Sequence, residues 1–163
     1  MRKIGAVATP IVAALVIAGC GSSSKTSPGP ASAPSSSSSN APTAALVTTK
    51  HVGKLGTVLA FGSKKLTVYL FEADKGGTSS CTGACAQVWP PVTGTPRAVG
   101  GAMSADLGTI TRSDGTKQVT YKGHPLYRYA KDKDDGDTYG EGINSFGAAW
   151  YALSPSGKKV DLS

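Results

Sequence analysis

The chain has 163 residues, a length for one domain with a small appendage. Its 39% hydrophobic content is too high for a wholly disordered polymer, while 21 Gly, 10 Pro and 19 Ser are too many for a helix bundle. With only 17% charged residues and a formal charge of +7, this balance excludes a polytopic membrane protein, a coiled coil and a multi-domain enzyme.

Met1-Arg2-Lys3 is basic, and Ile11 to Ala18 is an apolar run too short to cross a bilayer, preceded by Pro10. Ile17-Ala18-Gly19-Cys20 sets small residues before a cysteine at the end of that run. This pattern resembles the bacterial lipobox. The resemblance implies a lipoprotein signal peptide over residues 1–19, cleavage before Cys20, a diacylglyceryl group on its sulfur and an acyl chain on the new amine. Each buried methylene contributes about 0.8 kcal/mol, so two or three chains anchor firmly where one does not. An ordinary secretory signal with Cys20 as a free thiol is the alternative. Loss of Arg2 and Lys3 leaves 15 basic against 10 acidic residues, a net +5. The expected address is the extracytoplasmic face of the cell membrane.

Residues 20–45 read as the lipidated cysteine and a disordered tether. Residues 21–45 hold ten Ser and four Pro, with no Leu, Ile, Val or aromatic residue. Such a segment cannot bury enough apolar surface to offset its ordering entropy. As a flexible chain it spans about 25–30 Å.

Residues 46–163 have globular composition, and apolar residues recur there with period two. They predict a small, mostly β, antiparallel domain. Strands are expected over 55–60 and 66–71 around a turn at 61–65. A single helical turn is expected over 84–89, stopped by Pro90-Pro91 because proline lacks the N–H and clashes with the preceding turn. Strands over 107–112 and 117–121 flank a hairpin turn at Ser113-Asp114-Gly115-Thr116, and a strand over 125–129 follows Lys122-Gly123. Segments 148–153 and 159–162 predict a closing hairpin around Pro155-Ser156-Gly157.

The domain repeats itself, with copies at about 55–95 and 107–155. Tyr69-Leu70-Phe71-Glu72-Ala73-Asp74-Lys75 matches Tyr127-Arg128-Tyr129-Ala130-Lys131-Asp132-Lys133, and a tryptophan follows each, Trp89 and Trp150. Tyr-x-aromatic-x-x-Asp, twice, behind a lipobox and a Ser/Pro linker, resembles the lipoproteins known as a secreted repeat of unknown function. Cys81-Thr82-Gly83-Ala84-Cys85 before Trp89-Pro90-Pro91, Tyr121-Lys122-Gly123-His124-Pro125-Leu126-Tyr127, and Phe146-Gly147 before Trp150-Tyr151 carry the same resemblance. It implies a bacterial cell-envelope lipoprotein with tandem copies and no agreed activity.

In a strand, residues two apart share a face. Tyr69 and Phe71 therefore oppose Val68 and Leu70, so this strand is apolar on both faces and central. Tyr127 and Tyr129 share a face with Arg128 opposite, which makes their strand half exposed. Asp74 and Asp132 then read as turn closers accepting backbone N–H bonds. An aromatic ligand platform anchored by the two aspartates is the sharper alternative.

Cys81 and Cys85 fit a disulfide closing a short loop in an oxidising compartment, for about 2 kcal/mol by the chain-entropy model. A Cu(I) site with His124 or Met103, and redox exchange at a helix N-terminus, are the other readings. Asp132, Asp134, Asp135, Asp137 and Glu141 form an acidic stretch without the spacing of a calcium loop. His51 and His124 have no catalytic company, and no nucleophile elbow or phosphate-binding glycine loop is present. The positive charge, with Lys64-Lys65 and Lys158-Lys159 in turns, suits an anionic lipid or wall polymer better than a nucleic acid. The sequence thus points to a non-enzymatic binding or scaffolding lipoprotein without cofactor or metal. It would be membrane-held through its anchor and face an envelope polymer or protein. A redox or copper-handling module using Cys81 and Cys85 is the alternative.

Overall fold

A computed structural model describes residues 43–162; the segments expected to be a signal peptide, the lipidated Cys20 and most of the tether, up to residue 42, lie outside the described residues. The first strand, β1, runs over Ala44–Val52 and starts two residues before the expected beginning of the domain at residue 46. Its small residues Ala44 and Ala45 resemble the linker in composition, which hides the start of the strand.

A short 3-10 turn at Gly53–Leu55 leads into β2 (Gly56–Phe61), antiparallel to β1 with Val47 opposite Phe61 and Val52 opposite Gly56. β3 (Leu66–Thr67) adds to the far side of β2. β4 (Tyr69–Phe71) leaves that sheet for another. The predicted helical turn is α1 (Ala84–Val88), and the Trp89 N–H closes it on the Cys85 carbonyl at 2.7 Å before Pro90 stops it. β5 (Thr95–Ala98) completes a four-stranded sheet in the order β3-β2-β1-β5. It runs parallel to β1, the one departure from antiparallel pairing in the named sheets. Pro96 lacks a donor and is tolerated because β5 lies at the edge.

β6 (Leu107–Thr111) and β7 (Lys117–Tyr121) form the predicted hairpin, with the Asp114 carboxylate accepting the Thr116 N–H at 2.9 Å in the turn. The strand expected over 125–129 shortens to β8 (His124–Pro125), after which Tyr127 bridges singly to Tyr69 and to Pro91. β9 (Asn144–Ser145) and β10 (Ala148–Ala152) form a sheet with β4 in the order β4-β10-β9. No strand forms over 159–162: only Lys159 bridges back to Leu153.

Two apolar clusters fill the domain. Alternation along the segment 68–71 feeds both, with Val68 and Leu70 entering one and Tyr69 and Phe71 the other. The first cluster is aliphatic, built from Val47, Leu59, Val92, Val119, Leu126 and Leu153 around Tyr121. The second is aromatic and holds Trp89, Trp150, Tyr127, Tyr129 and both described cysteines. The repeat motif lies in this second cluster.

Candidate functional site

Tyr69 and Tyr127 are 58 residues apart and lie face to face. Each gives its backbone N–H to the other's carbonyl, at 2.9 and 3.0 Å. Their side chains cross the same seam. The Tyr69 hydroxyl donates to Asp132 Oδ2 at 2.6 Å, and the Tyr127 hydroxyl donates to Asp74 Oδ2 at 2.7 Å. Each copy therefore supplies the phenol that the other copy's carboxylate binds. The remaining carboxylate oxygens hold the loops that follow. Asp74 Oδ1 accepts the Ser80 N–H at 2.7 Å, and Asp132 Oδ1 accepts the Tyr139 N–H at 3.1 Å. The turn-closing role expected for both aspartates is only half of what they do.

The main chain is exchanged in the same way. β4 of the first copy pairs with β10 of the second, setting Phe71 opposite Trp150. The 127–130 segment of the second copy bonds the first copy's Trp segment, Arg128 N–H to Pro90 at 2.9 Å and Ala130 N–H to Val88 at 2.9 Å. The rings follow. Phe71, Trp150 and Trp89 stack in that order, with centroids 4.0 and 3.9 Å apart, and Tyr129 lies tilted by 34° against Trp89 at 4.5 Å. Tyr69 meets Trp89 edge-on at 5.5 Å and Tyr127 meets Trp150 edge-on at 5.1 Å. Aromatic pairs of this kind contribute about 0.5–1.5 kcal/mol each beyond their buried area. Gly140 lies against this stack: a Cβ there would sit 2.8 Å from Tyr69 Cζ and 2.9 Å from the Trp89 ring.

Burial raises the Tyr69 phenol far above its ordinary range, with the Asp132 carboxylate adding to the effect. Burial also raises Tyr127, opposed by the Ser79 hydroxyl and helped by Asp74. Burial pushes Asp132 up, against the bonds it accepts from Tyr69 and Tyr139. Both phenols are donors locked onto carboxylates, and neither is a base. Tyr69, Phe71, Tyr127 and Asp132 are less than 5% exposed and Tyr129 is 8% exposed, so the motif rings turn inward and Asp74 alone of these residues is half-buried.

Cys81 and Cys85 form a disulfide with a Cα–Cα distance of 5.2 Å. Both are buried among the aromatic cluster. Arg112, expected as the last residue of a strand but lying just past the end of β6, holds this loop. Its Nη2 donates to the Cys81 carbonyl at 2.6 Å, and its Nη1 donates to Gln118 Oε1 at 2.7 Å and to Ser79 Oγ at 2.5 Å. A guanidinium can only donate, so the Ser79 hydroxyl accepts from it and gives its own proton to Tyr127, which donates on to Asp74. Nothing in the pattern Ile110-Thr111-Arg112 marks that arginine as buried. His124 lines a surface cleft with Phe71 and Asp74, and Met103 is 59% exposed; neither belongs to the cluster around the cysteines.

The acidic stretch is occupied by the protein's own donors. Asp137 accepts the Lys133 and Asp134 N–H groups at 2.8 and 3.0 Å. Asp135 lies 3.5 Å from the ammonium of Lys50, a β1 residue whose side chain is 4% exposed. Burial lowers the Lys50 amine despite Asp135, Asp132 and Asp137 around it. Glu141 accepts the Ala152 N–H at 2.6 Å, and burial raises its carboxyl. Among the described residues, no group of three His, Cys, Asp or Glu side chains could hold a metal ion. No helix there is long and apolar enough to cross a membrane.

A family model described as a secreted repeat of unknown function matches residues 51–93 and 108–154, close to the copies read at 55–95 and 107–155. The chain belongs to this family. Membership places the secreted repeat outside the cytoplasm, where a disulfide persists. No match to the chain was found among curated proteins or among solved structures. In this secreted repeat, the residues that define the motif are those that join copy to copy.

Proposed function

We propose that the protein is a lipid-anchored envelope lipoprotein, held through Cys20, whose repeat domain is a non-enzymatic binding or scaffolding module. The observation that carries the reading is the crossed Tyr–Asp exchange. The Tyr69 and Tyr127 phenols, the Asp74 and Asp132 carboxylates and both indoles are engaged across the seam, which supports a structural role for these four titratable residues over acid–base or nucleophilic work. The motif builds a rigid body, and interaction falls to the surface. That surface carries the excess of Lys and Arg, which suits an anionic envelope component. Burial of Cys81 and Cys85 and the Arg112 bond to Cys81 support a structural disulfide over an exchanging or copper-binding pair.

Two measurements test this. Mass spectrometry of the protein from its native host is expected to find the chain beginning at Cys20 with diacylglyceryl on sulfur; an unmodified Cys20 thiol refutes the anchor. Incubation of the purified protein with isolated envelopes is expected to give salt-sensitive retention. Protein that stays in the supernatant at low salt refutes the binding module.

A further inference from the structure

The duplication has left two clefts in equivalent positions, one beside β4 and one beside the 127–130 segment. Leu70, Phe71, Glu72 and Asp74 line the first, of about 540 Å³, and Arg128, Tyr129, Ala130 and Asp132 line the second, of about 280 Å³. These four residues of the second each lie 58 positions after their counterparts in the first. His124 of the first cleft and Leu66 of the second are related by the same offset. The repeat thus builds the same surface feature twice, and differences between the copies show what each accepts.

The first cleft quenches its own charge. Glu72 binds Lys159 at 2.8 Å, and Lys159 also meets Asp161 at 3.3 Å. In the second cleft Ala130 replaces Glu72, and the basic residues Lys64, Arg128 and Lys133 line it. The Arg128 guanidinium lies 5.7 Å over the Phe61 ring, which fixes its plane. Its Nε is buried and has no hydrogen-bond acceptor among the described residues. Two carboxylates stand near. Asp132 has both oxygens engaged, by Tyr69 and by the Tyr139 N–H. Asp134 lies 3.8 Å from Lys64 with both side chains largely exposed, a pairing that contributes little.

We propose that the cleft formed by Arg128, Lys64 and Lys133 is a binding site for a phosphate or phosphodiester group. The two Nη groups of Arg128, at the end of a guanidinium held over Phe61, can donate to two oxygens of a tetrahedral oxyanion, and two ammonium groups at the rim suit its second charge. Tyr129, Leu66 and Pro90 give an apolar wall for the carbon skeleton that carries the phosphate. This site supplies a ligand class for the binding module proposed above and rests on that reading.

Isothermal titration of the purified full-length protein with inorganic phosphate and with sn-glycerol 3-phosphate tests the site, chloride being held at matched ionic strength. Saturable binding with one equivalent is expected. Arg128→Gln weakens it at least tenfold, Arg128→Lys weakens it less, and Lys64→Gln and Lys133→Gln, both at the rim, weaken it two- to threefold each. Lys117→Gln, a charge loss outside the cleft, changes affinity by less than twofold. Absence of saturable binding, or equal losses in Arg128→Gln and Lys117→Gln, overturns the proposal, and the exposed rim variants keep the test valid if Arg128→Gln unfolds. Vesicles containing phosphatidylglycerol are expected to bind the protein in competition with soluble glycerol phosphate; retention that neither glycerol phosphate nor Arg128→Gln reduces also overturns it. Retention on envelopes without phosphate binding would remove this site and leave the module. Phosphate binding without envelope retention would do the reverse.

Discussion

Tyr69→Phe deletes one oxygen from a buried position and leaves two groups without a partner. Asp132 Oδ2 loses the donor at 2.6 Å, and the Gly140 N–H loses its acceptor at 3.3 Å. An unsatisfied buried polar group costs about 1–3 kcal/mol, and more when charged, so the variant is expected to lose about 3 kcal/mol. Tyr127→Phe is its counterpart across the seam and should lose only about 1 kcal/mol, because the abandoned carboxylate is less buried and keeps other donors. Asp74 is only half-buried and still accepts from the Ser80 N–H and hydroxyl, both at 2.7 Å. Urea unfolding with an unchanged slope reads the difference, and about 4 °C of melting temperature corresponds to each kcal/mol in a domain of this size. Acid provides a second readout. Asp132 already titrates above its ordinary value of 3.8, and loss of the Tyr69 bond raises it further. The folded variant then binds a proton more readily than the unfolded chain, so its deficit should shrink as pH falls from 7 through the raised Asp132 value. Equal losses in the two variants, or a Tyr69→Phe protein within 0.5 kcal/mol of the parent, would refute the crossed exchange as the origin of the motif. If either variant were stable yet lost envelope retention, the tyrosines would belong to a binding surface after all.

Gly140→Ala forces a methyl group to within 2.8 Å of the Tyr69 ring and 2.9 Å of Trp89. Overpacking of this kind costs about 1–3 kcal/mol, and near-ultraviolet circular dichroism should report the displaced indole; an unchanged spectrum and midpoint would contradict the ring stack. Replacing Cys81 and Cys85 together with Ser should lower stability by about 2 kcal/mol while leaving envelope retention intact. A protein that keeps its stability but loses retention would move the function to the cysteines. Lys50→Met removes an ammonium that burial lowers below 10.5. In the parent, the unfolded chain holds the extra proton between the lowered value and 10.5, so stability rises with pH across that window. The variant should be more stable by about 1 kcal/mol at neutral pH and should lose that rise; a flat parent profile would rule out a buried Lys50.

The β content was legible wherever alternation was strong and the turn chemistry local. Lys117–Tyr121 and its partner Leu107–Thr111 flank a turn whose Asp114 closes it within four residues. The short helix at Ala84–Val88 was legible from the prolines that end it. β1 was hidden because Thr48, Thr49, Lys50 and His51 look like linker, although two of those four are buried by the sheet and the acidic loop. β5 was hidden by Pro96, which an edge strand accepts. The repeat marks the right residues for the seam and the local half of the aspartates' partners, the Ser80 and Tyr139 N–H groups, but not the phenols. Asp74 and Asp132 looked local, yet their phenol donors are 53 and 63 residues away. Arg112 and Gly140 had no signal, since each role depends on what the rest of the chain brings to it.

Because each copy lends its tryptophan segment and its phenol to the other, neither half is a folding unit. A chain trimmed to one copy would expose a row of indole and a bare carboxylate, and could bury them only against a second molecule doing the same. The architecture thereby counts in twos: what one copy leaves open is closed by the other, indole to indole and phenol to carboxylate.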